Sequence, residues 1–150
     1  MYLISVEGGD GSGKGEAVRI LSEIANEFPF PNIAVTHEPR RHSELGKLAL
    51  QSVKEGKTTP LNEAGLFAAD RLDHSHTWIK PRLQQGTLVI SDRNIHSSLV
   101  YQGYVGKLGI ERVAKMNAAA LIPDLVFWID CDPKKAMKRI QTGTLRMSSS

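Results

Sequence analysis

The sequence has one cysteine, Cys131, and no cysteine and histidine spacing that is typical of a zinc site. A single thiol excludes an internal disulfide, so neither disulfides nor structural metal are expected to hold the fold. Long apolar runs are also missing, because none approaches the roughly 18 residues of a membrane helix. Met1 leads directly into Tyr2, Leu3 and Ile4 without the basic stretch that opens a secretory signal. We therefore expect a cytoplasmic protein with no membrane partner.

Aromatic residues are few, at 6%, and none interleaves with the basic residues as a platform for single-stranded nucleic acid would require. The net charge of +3 suits a small phosphorylated ligand as well as a nucleic acid, so charge alone does not distinguish them. We expect no nucleic-acid partner. The 150 residues are 41% hydrophobic, which is enough for one globular domain over residues 1–150.

Four short apolar or β-branched segments predict strands at residues 3–7, 33–36, 87–91 and 125–130. Because they are almost continuously apolar, we expect parallel strands covered on both faces. The intervals show three apolar stripes with helical spacing. These are Ala17, Leu21, Ile24 and Phe28; Leu45, Leu48, Ala49 and Val53; and residues 114–121. The alternation predicts an α/β fold with an open parallel sheet, whose ligands bind beyond the carboxyl ends of the strands.

A glycine-rich loop follows the first predicted strand, and a helical pattern begins at Glu16. Its spacing, G-x-x-x-x-G-K, matches a Walker A loop as far as Lys14. Glycines let the backbone wrap around phosphates, and Lys14 would reach the β and γ phosphates. A merely flexible turn is the alternative. We assign ATP binding to the whole loop: Gly8, Gly9, Asp10, Gly11, Ser12, Gly13, Lys14, Gly15 and Glu16.

The last loop position departs from the pattern, because Gly15 stands where a serine or threonine hydroxyl normally holds Mg²⁺. Water could replace that hydroxyl, since Mg²⁺ commonly keeps several waters in nucleotide sites. Asp92, at the end of the third predicted strand, is the candidate metal residue and would organise Mg²⁺ through water.

Two segments suggest how an acceptor binds. Arg40 and Arg41 follow the second predicted strand, where guanidinium groups could fork onto a phosphate or form a solvated basic turn. Phe67, Arg71 and His74 share one face of a helix predicted between residues 61 and 78. A ring beside a donor suits a nucleobase, whereas the alternative puts Phe67 in the core and Arg71 on the surface.

A third segment begins where the third predicted strand ends. Arg93 could face the phosphates being joined, or form an ordinary ion pair with Asp92. Ser98 and Gln102, four residues apart, can share a helical face. The candidate catalytic residues are Lys14, Asp92 and Arg93.

Together these motifs resemble the thymidylate kinase family. The resemblance rests on Glu7 to Lys14, Glu38-Pro39 with Arg41 and Gly46-Lys47, Phe67 to Arg71 with His74, Asp92-Arg93 with Ser97-Ser98 and Tyr101 to Gly103, and Ile129 to Pro133 with Ala136 and Arg139-Ile140. It implies a P-loop fold of the nucleoside monophosphate kinase type, with a five-stranded parallel sheet flanked by helices, and a homodimer. It also implies transfer of the γ-phosphoryl group of Mg·ATP to dTMP, giving dTDP and ADP for dTTP biosynthesis.

The resemblance further implies roles in substrate binding. Phe67 would stack on thymine, Arg71 and Gln102 would bond its edges, Ser98 would lie near its methyl group, Arg41 and Arg93 would hold the dTMP phosphate, and Asp10 would approach the sugar. Because one methyl group is worth only ~1–3 kcal/mol in a pocket, some turnover of dUMP is expected.

Three departures from the family pattern leave alternatives open. They are Gly15, His37 in place of a frequent arginine, and a C-terminal lid and last helix that we expect to be shortened. One branch of the family carries an arginine at the position of Gly11. In this chain the lid would have to supply the corresponding arginine, and the candidate is Arg146. The alternatives are another nucleotide or deoxynucleoside kinase, and a nucleotide-binding protein with little catalysis.

Overall fold

A parallel sheet forms the centre of the molecule. The computed structural model describes residues 2–143, and Arg146 lies outside them. The strands are β1 (Leu3–Glu7), β2 (Ile33–His37), β3 (Leu88–Asp92) and β4 (Leu125–Trp128). Their order is β2-β3-β1-β4 and every pairing is parallel. The predicted parallel α/β fold is therefore confirmed, and all four carboxyl ends meet at one edge of the sheet.

Helices connect the strands. They are α1 (Lys14–Ala25), α2 (Glu44–Glu55), α3 (Pro60–His74), α4 (Lys80–Gln84), α5 (Ile95–Ser98), α6 (Ile110–Met116) and α7 (Pro133–Gln141), with π-helical segments at Ser75–Ile79 and Leu99–Val105. Ser43 and Thr59 cap α2 and α3, because each hydroxyl accepts a backbone N–H of the first turn. Within residues 2–143, no helix is both long enough and apolar enough to cross a bilayer.

The core consists of two clusters, one on each face of the sheet. Successive side chains of a strand point to opposite faces, so Leu88 and Ile90 share one cluster while Val89 belongs to the other. The first cluster includes Val18 of α1, and the second includes Ile79 between α3 and α4. Full burial of such a side chain contributes roughly 1.5–3 kcal/mol. Both clusters include residues of β1 and β3, so the core positions the two strands from which the site loops emerge.

The sheet differs from the prediction at β4. The described residues contain four strands, not the five implied by the resemblance. All four residues of β4 are exposed, so the expectation of a strand covered on both faces is wrong there. The strand ends at Trp128, two residues before the predicted boundary, because the backbone then enters the loop of residues 129–132 that precedes α7.

Three helical predictions also need correction. In α2, Leu48 and Val53 of the predicted stripe are about half exposed, whereas Ala49 is buried as predicted, together with Gly46 and Ser52 outside the stripe. The buried positions of α2, which packs against α3, thus carry small side chains. Helix α1 ends before Phe28, which lines an apolar groove of about 300 Å³. Helix α6 starts four residues before the predicted stripe and ends at Met116, with Asn117 as its C-cap.

Candidate active site

The glycine-rich loop joins the end of β1 to the start of α1. Gly8, Gly11 and Gly13 have φ values of 154°, 79° and 100°, which glycine adopts without the steric cost of a side chain. Lys14 is the first residue of α1, and its ammonium group donates to the Gly9 carbonyl at 3.2 Å. The strand, loop and helix therefore place backbone N–H groups and the positive end of α1 at one point, as a phosphate site requires.

Helix α7 lies directly against this loop. A Cβ atom at Gly11 would stand 2.5 Å from the Ala136 carbonyl oxygen, so only glycine fits at this distance. Arg139, one turn further along α7, donates to the Gly11 carbonyl at 3.0 Å. The loop is thus fixed from outside by a helix about 130 residues away in sequence, whose contact the sequence does not reveal.

Several charged side chains lie near Lys14 and act on its ammonium group. Burial lowers the pKa of Lys14, and the positive charge of Arg93 lowers it further. Asp92, Asp10 and Glu7 oppose this shift. Asp92 ends β3, its side chain is partly exposed, and its carboxylate accepts no hydrogen bond from the described residues.

Arg93 connects the loop with the segment that follows β3. Its guanidinium donates to Asp10 at 2.9 Å, to Ser97 at 3.2 Å and to the Tyr101 hydroxyl at 3.4 Å. The alternative of an Asp92–Arg93 ion pair is not found, because the salt bridge of Arg93 in the described structure is with Asp10. Two of the predicted catalytic residues, Lys14 and Arg93, thus lie beside the same loop.

Arg71 lies in a buried polar network rather than on the surface. It donates to Glu38 at 2.8 Å, to Asn117 at 2.8 Å and to Ser98 at 3.1 Å. Glu38 also bonds His74, at 2.8 Å. The surface alternative for Arg71 is therefore wrong, since its side chain is 2% exposed. These bonds use Nε and Nη1, and Nη2 makes no hydrogen bond to a described residue.

Gln102 faces the same region from the π-helical segment Leu99–Val105. Its Nε2 donates to Glu63 at 3.1 Å, while its Oε1 is buried without a partner among the described residues. A buried acceptor without a partner costs about 1–3 kcal/mol, which a bound ligand or water would recover. Phe67 is partly exposed on α3, one turn before Arg71. The structure therefore brings a ring, a donor and an acceptor to one region.

The loop between β2 and α2 is fixed by Asp70, whose side chain is 1% exposed. Asp70 accepts the backbone N–H and the Nε–H of Arg40, both at 2.9 Å, and the Ser43 hydroxyl at 2.8 Å. Arg40 is thus engaged within the protein, which contradicts the idea that both arginines fork onto a phosphate. Gly46 is required here, because its Cβ would fall 1.7 Å from the Arg40 carbonyl oxygen. Arg41 is partly buried in this loop.

The site has one carboxylate in a position suited to a divalent cation. Mg²⁺ is usually bound by one or two carboxylates together with substrate phosphates and several waters. Asp92 could supply one such carboxylate, although no cluster of three or more metal-binding side chains occurs among residues 2–143. Gly15 offers no hydroxyl, although space around it is open within 4 Å.

Several residues with contacts in this region were not predicted as site residues. Glu7 accepts hydrogen bonds from Asn94 and Ser97, Asp70 and Asn117 hold Arg40 and Arg71, and Arg139 reaches Gly11. A carboxylate at the end of an apolar strand was the available signal for Glu7. Asn117 had none.

Comparisons with known proteins identify the family. A family model described as thymidylate kinase matches residues 6–149. The chain belongs to the thymidylate kinase family. The proposed resemblance is confirmed, and this family member is an enzyme of the kinase class.

Individual relatives agree. The chain is 38% identical to a "Probable thymidylate kinase" of Pyrobaculum aerophilum, over 94% of this chain and 70% of the relative. It is 40% identical to a "Probable thymidylate kinase" of Thermococcus onnurineus, over 97% and 74%. A crystal structure of thymidylate kinase from Ehrlichia chaffeensis superposes with a TM-score of 0.77 at 30% identity, and the match covers 98% of this chain and 86% of that one.

Proposed function

We propose that this thymidylate kinase family member transfers the γ-phosphoryl group of ATP to dTMP at the site between the glycine-rich loop and the segment after β3. The observation that carries the proposal is the position of Arg93, whose guanidinium donates both to Asp10 of the loop and to Ser97 of the segment after β3. A cation there would face both the transferring phosphoryl group and the acceptor phosphate.

In this proposal, a phosphate oxygen of dTMP attacks the γ-phosphorus of ATP. The bond from that phosphorus to the β,γ-bridging oxygen breaks, and ADP leaves without a covalent enzyme intermediate. Lys14 and the loop N–H groups hold the donor, while Arg41 and Arg93 hold the acceptor phosphate. Mg²⁺, held through water at Asp92, would neutralise phosphate charge. Catalysis is then positioning and charge neutralisation.

Base recognition is assigned to the buried network. Phe67 stacks on the thymine ring, Nη2 of Arg71 and Oε1 of Gln102 meet its polar edges, and Ser98 lies near the methyl group. The partnerless Oε1 of Gln102 supports this assignment, because an N–H donor of the base would satisfy it. Asp10 approaches the sugar.

The assembly and location are part of the same proposal. We place the enzyme in the cytoplasm as a homodimer, on the strength of the family resemblance. Leu48 and Val53 of α2, both about half exposed, offer apolar area for a second copy. Sedimentation equilibrium of the wild type and of Leu48→Glu tests the dimer, which the substitution should dissociate.

The test of the activity is ADP release from Mg·ATP with dTMP, dUMP, dCMP, dGMP, dAMP or thymidine as acceptor. Turnover should be highest with dTMP and should fall by about a thousandfold in Arg93→Ala. Arg112→Ala, which changes an exposed arginine of α6, is the matched control and should remain active.

Preference for another monophosphate would contradict the base-site assignments. Binding of ATP and dTMP without ADP release would instead indicate a nucleotide-binding protein, the alternative that Gly15 motivates.

A further inference from the structure

The backbone of Arg93 is in an unusual conformation. Its φ is 70°, in the left-handed region that side chains other than glycine rarely adopt. Such a conformation costs of order 1–3 kcal/mol and persists only where surrounding contacts enforce it. Two hydrogen bonds of the Arg93 backbone stabilise this conformation. Its N–H donates to the Val6 carbonyl at 2.9 Å, and its carbonyl accepts the Ser91 hydroxyl at 2.7 Å. Neither contact directs the side chain.

The carboxylate of Glu7 holds the segment that follows. Glu7 is 6% exposed, and its Oε1 accepts the backbone N–H of Asn94 at 2.7 Å. Its Oε2 accepts the Ser97 hydroxyl at 2.6 Å. One buried carboxylate therefore fixes the residue directly after Arg93 and the residue four positions after it.

The second bond sets the direction in which Ser97 acts. A hydroxyl has one hydrogen, and Ser97 gives it to Glu7, so the lone pairs of its oxygen are left for other donors. Arg93 Nη1 donates to that oxygen at 3.2 Å. The other end of the guanidinium, Nη2, then reaches Asp10 at 2.9 Å. The Arg93 guanidinium thus donates to the Ser97 hydroxyl, which in turn donates to the Glu7 carboxylate.

We propose that Glu7 is the positioning residue of this site, which orients the Arg93 guanidinium through Ser97 and through the Asn94 backbone. The proposal rests on the proposed function, in which Arg93 faces the acceptor phosphate. The direct hydrogen bonds of the Glu7 carboxylate go to Asn94 and Ser97, so it would act on the substrate only through Arg93.

Glu7→Gln is the informative substitution because it keeps the size of the side chain. An amide N–H facing Ser97 would donate to the hydroxyl oxygen, so Ser97 would turn its hydrogen towards Arg93. We expect kcat/KM for dTMP to fall by about ten- to a hundredfold, the scale on which a small displacement of a positioning group acts. The dissociation constant for ATP should change much less than that for dTMP, since both hydrogen bonds of the Glu7 carboxylate go to the segment after β3 and none goes to the loop.

Two further variants separate positioning from general damage. Ser97→Ala removes the second bond and leaves the one to Asn94, so it should show the same loss with dTMP even if Glu7→Gln folds poorly. Glu23→Gln removes a carboxylate from an exposed side chain of α1 and should behave as wild type.

The decisive measurement is a double-mutant cycle on the dissociation constant of dTMP, by calorimetry, with Glu7→Gln and Arg93→Ala. If Glu7 acts through Arg93, Glu7→Gln should weaken dTMP binding in the wild type and add nothing to Arg93→Ala. Full additivity, or weakened ATP binding to the same extent, would overturn the positioning role while leaving the proposed function in place. Normal dTMP binding and turnover in Arg93→Ala would overturn both.

Discussion

Removing the guanidinium of Arg71 should destabilise the fold by about 3–5 kcal/mol, the usual cost of breaking a buried ion pair. The Arg71 and Glu38 side chains are 2% and 1% exposed, so Arg71→Ala leaves the Glu38 carboxylate in the interior without its cation. Ser98 and Asn117 lose their donor as well. At about 2–4 °C per kcal/mol for a chain of this size, the melting temperature should fall by about 6–20 °C.

Urea unfolding followed by tryptophan fluorescence measures this loss, with Trp128→Phe as the background so that the signal comes from Trp78, whose ring lies 5.5 Å from that of His74. Arg112→Ala is the control, because substitution of an exposed arginine should change stability by no more than about 0.5 kcal/mol. Adding Glu38→Gln to Arg71→Ala should recover part of the loss, since no buried charge then remains unpaired.

Two results would refute this reasoning. A loss below about 1 kcal/mol for Arg71→Ala would mean that water already screens the Glu38 carboxylate. Failure of Glu38→Gln to recover any stability would mean that lost packing, not the unpaired charge, is the cause.

Three further predictions concern the loop and β1. Gly15→Ser should lower the Mg²⁺ concentration for half-maximal ADP release severalfold, because the open space at Gly15 admits the hydroxyl that P-loop kinases use; unchanged Mg²⁺ dependence would contradict it. Gly11→Ala should raise the dissociation constant for ATP, measured by calorimetry, by about 5- to 30-fold, because strain of roughly 1–2 kcal/mol at φ 79° adds to the contact with Ala136. Burial raises the pKa of Glu7, so the folded state penalises its charged form, and this cost grows as the pH rises through and above 4.5. The stability of Glu7→Gln relative to wild type should therefore increase between about pH 4 and pH 7 in thermal unfolding, and a flat difference would argue against that shift.

The sequence predicted those parts of the fold that depend on local pattern. The run ending in Val89 and Ile90 is apolar, β-branched and fully buried in β3, as expected. The same kind of pattern misled at β4, where Leu125 and Trp128 are 50% and 72% exposed. Burial there depends on what covers the edge of the sheet, and a local apolar run carries no information about its neighbours.

The candidate site shows the same division. Lys14 and the glycines follow from a contiguous motif, whereas the roles of Phe67, Arg71 and Gln102 in base binding stay predictions. Contacts that hold the site in place could not be foreseen, because each joins distant residues. Asn94 lies 87 positions from Glu7, and Asn117 lies 46 from Arg71. Only the folded sheet and helices bring such pairs within hydrogen-bonding distance.

The contact between Gly11 and α7 limits how this enzyme can diverge from its relatives. One branch of the family carries an arginine at the position of Gly11, but here the Ala136 carbonyl fills the space where that side chain would begin. A lineage could exchange glycine for arginine only if α7 moved away in the same evolutionary step or an earlier one. A larger residue at this loop position should therefore occur only in relatives whose α7 lies farther from the loop.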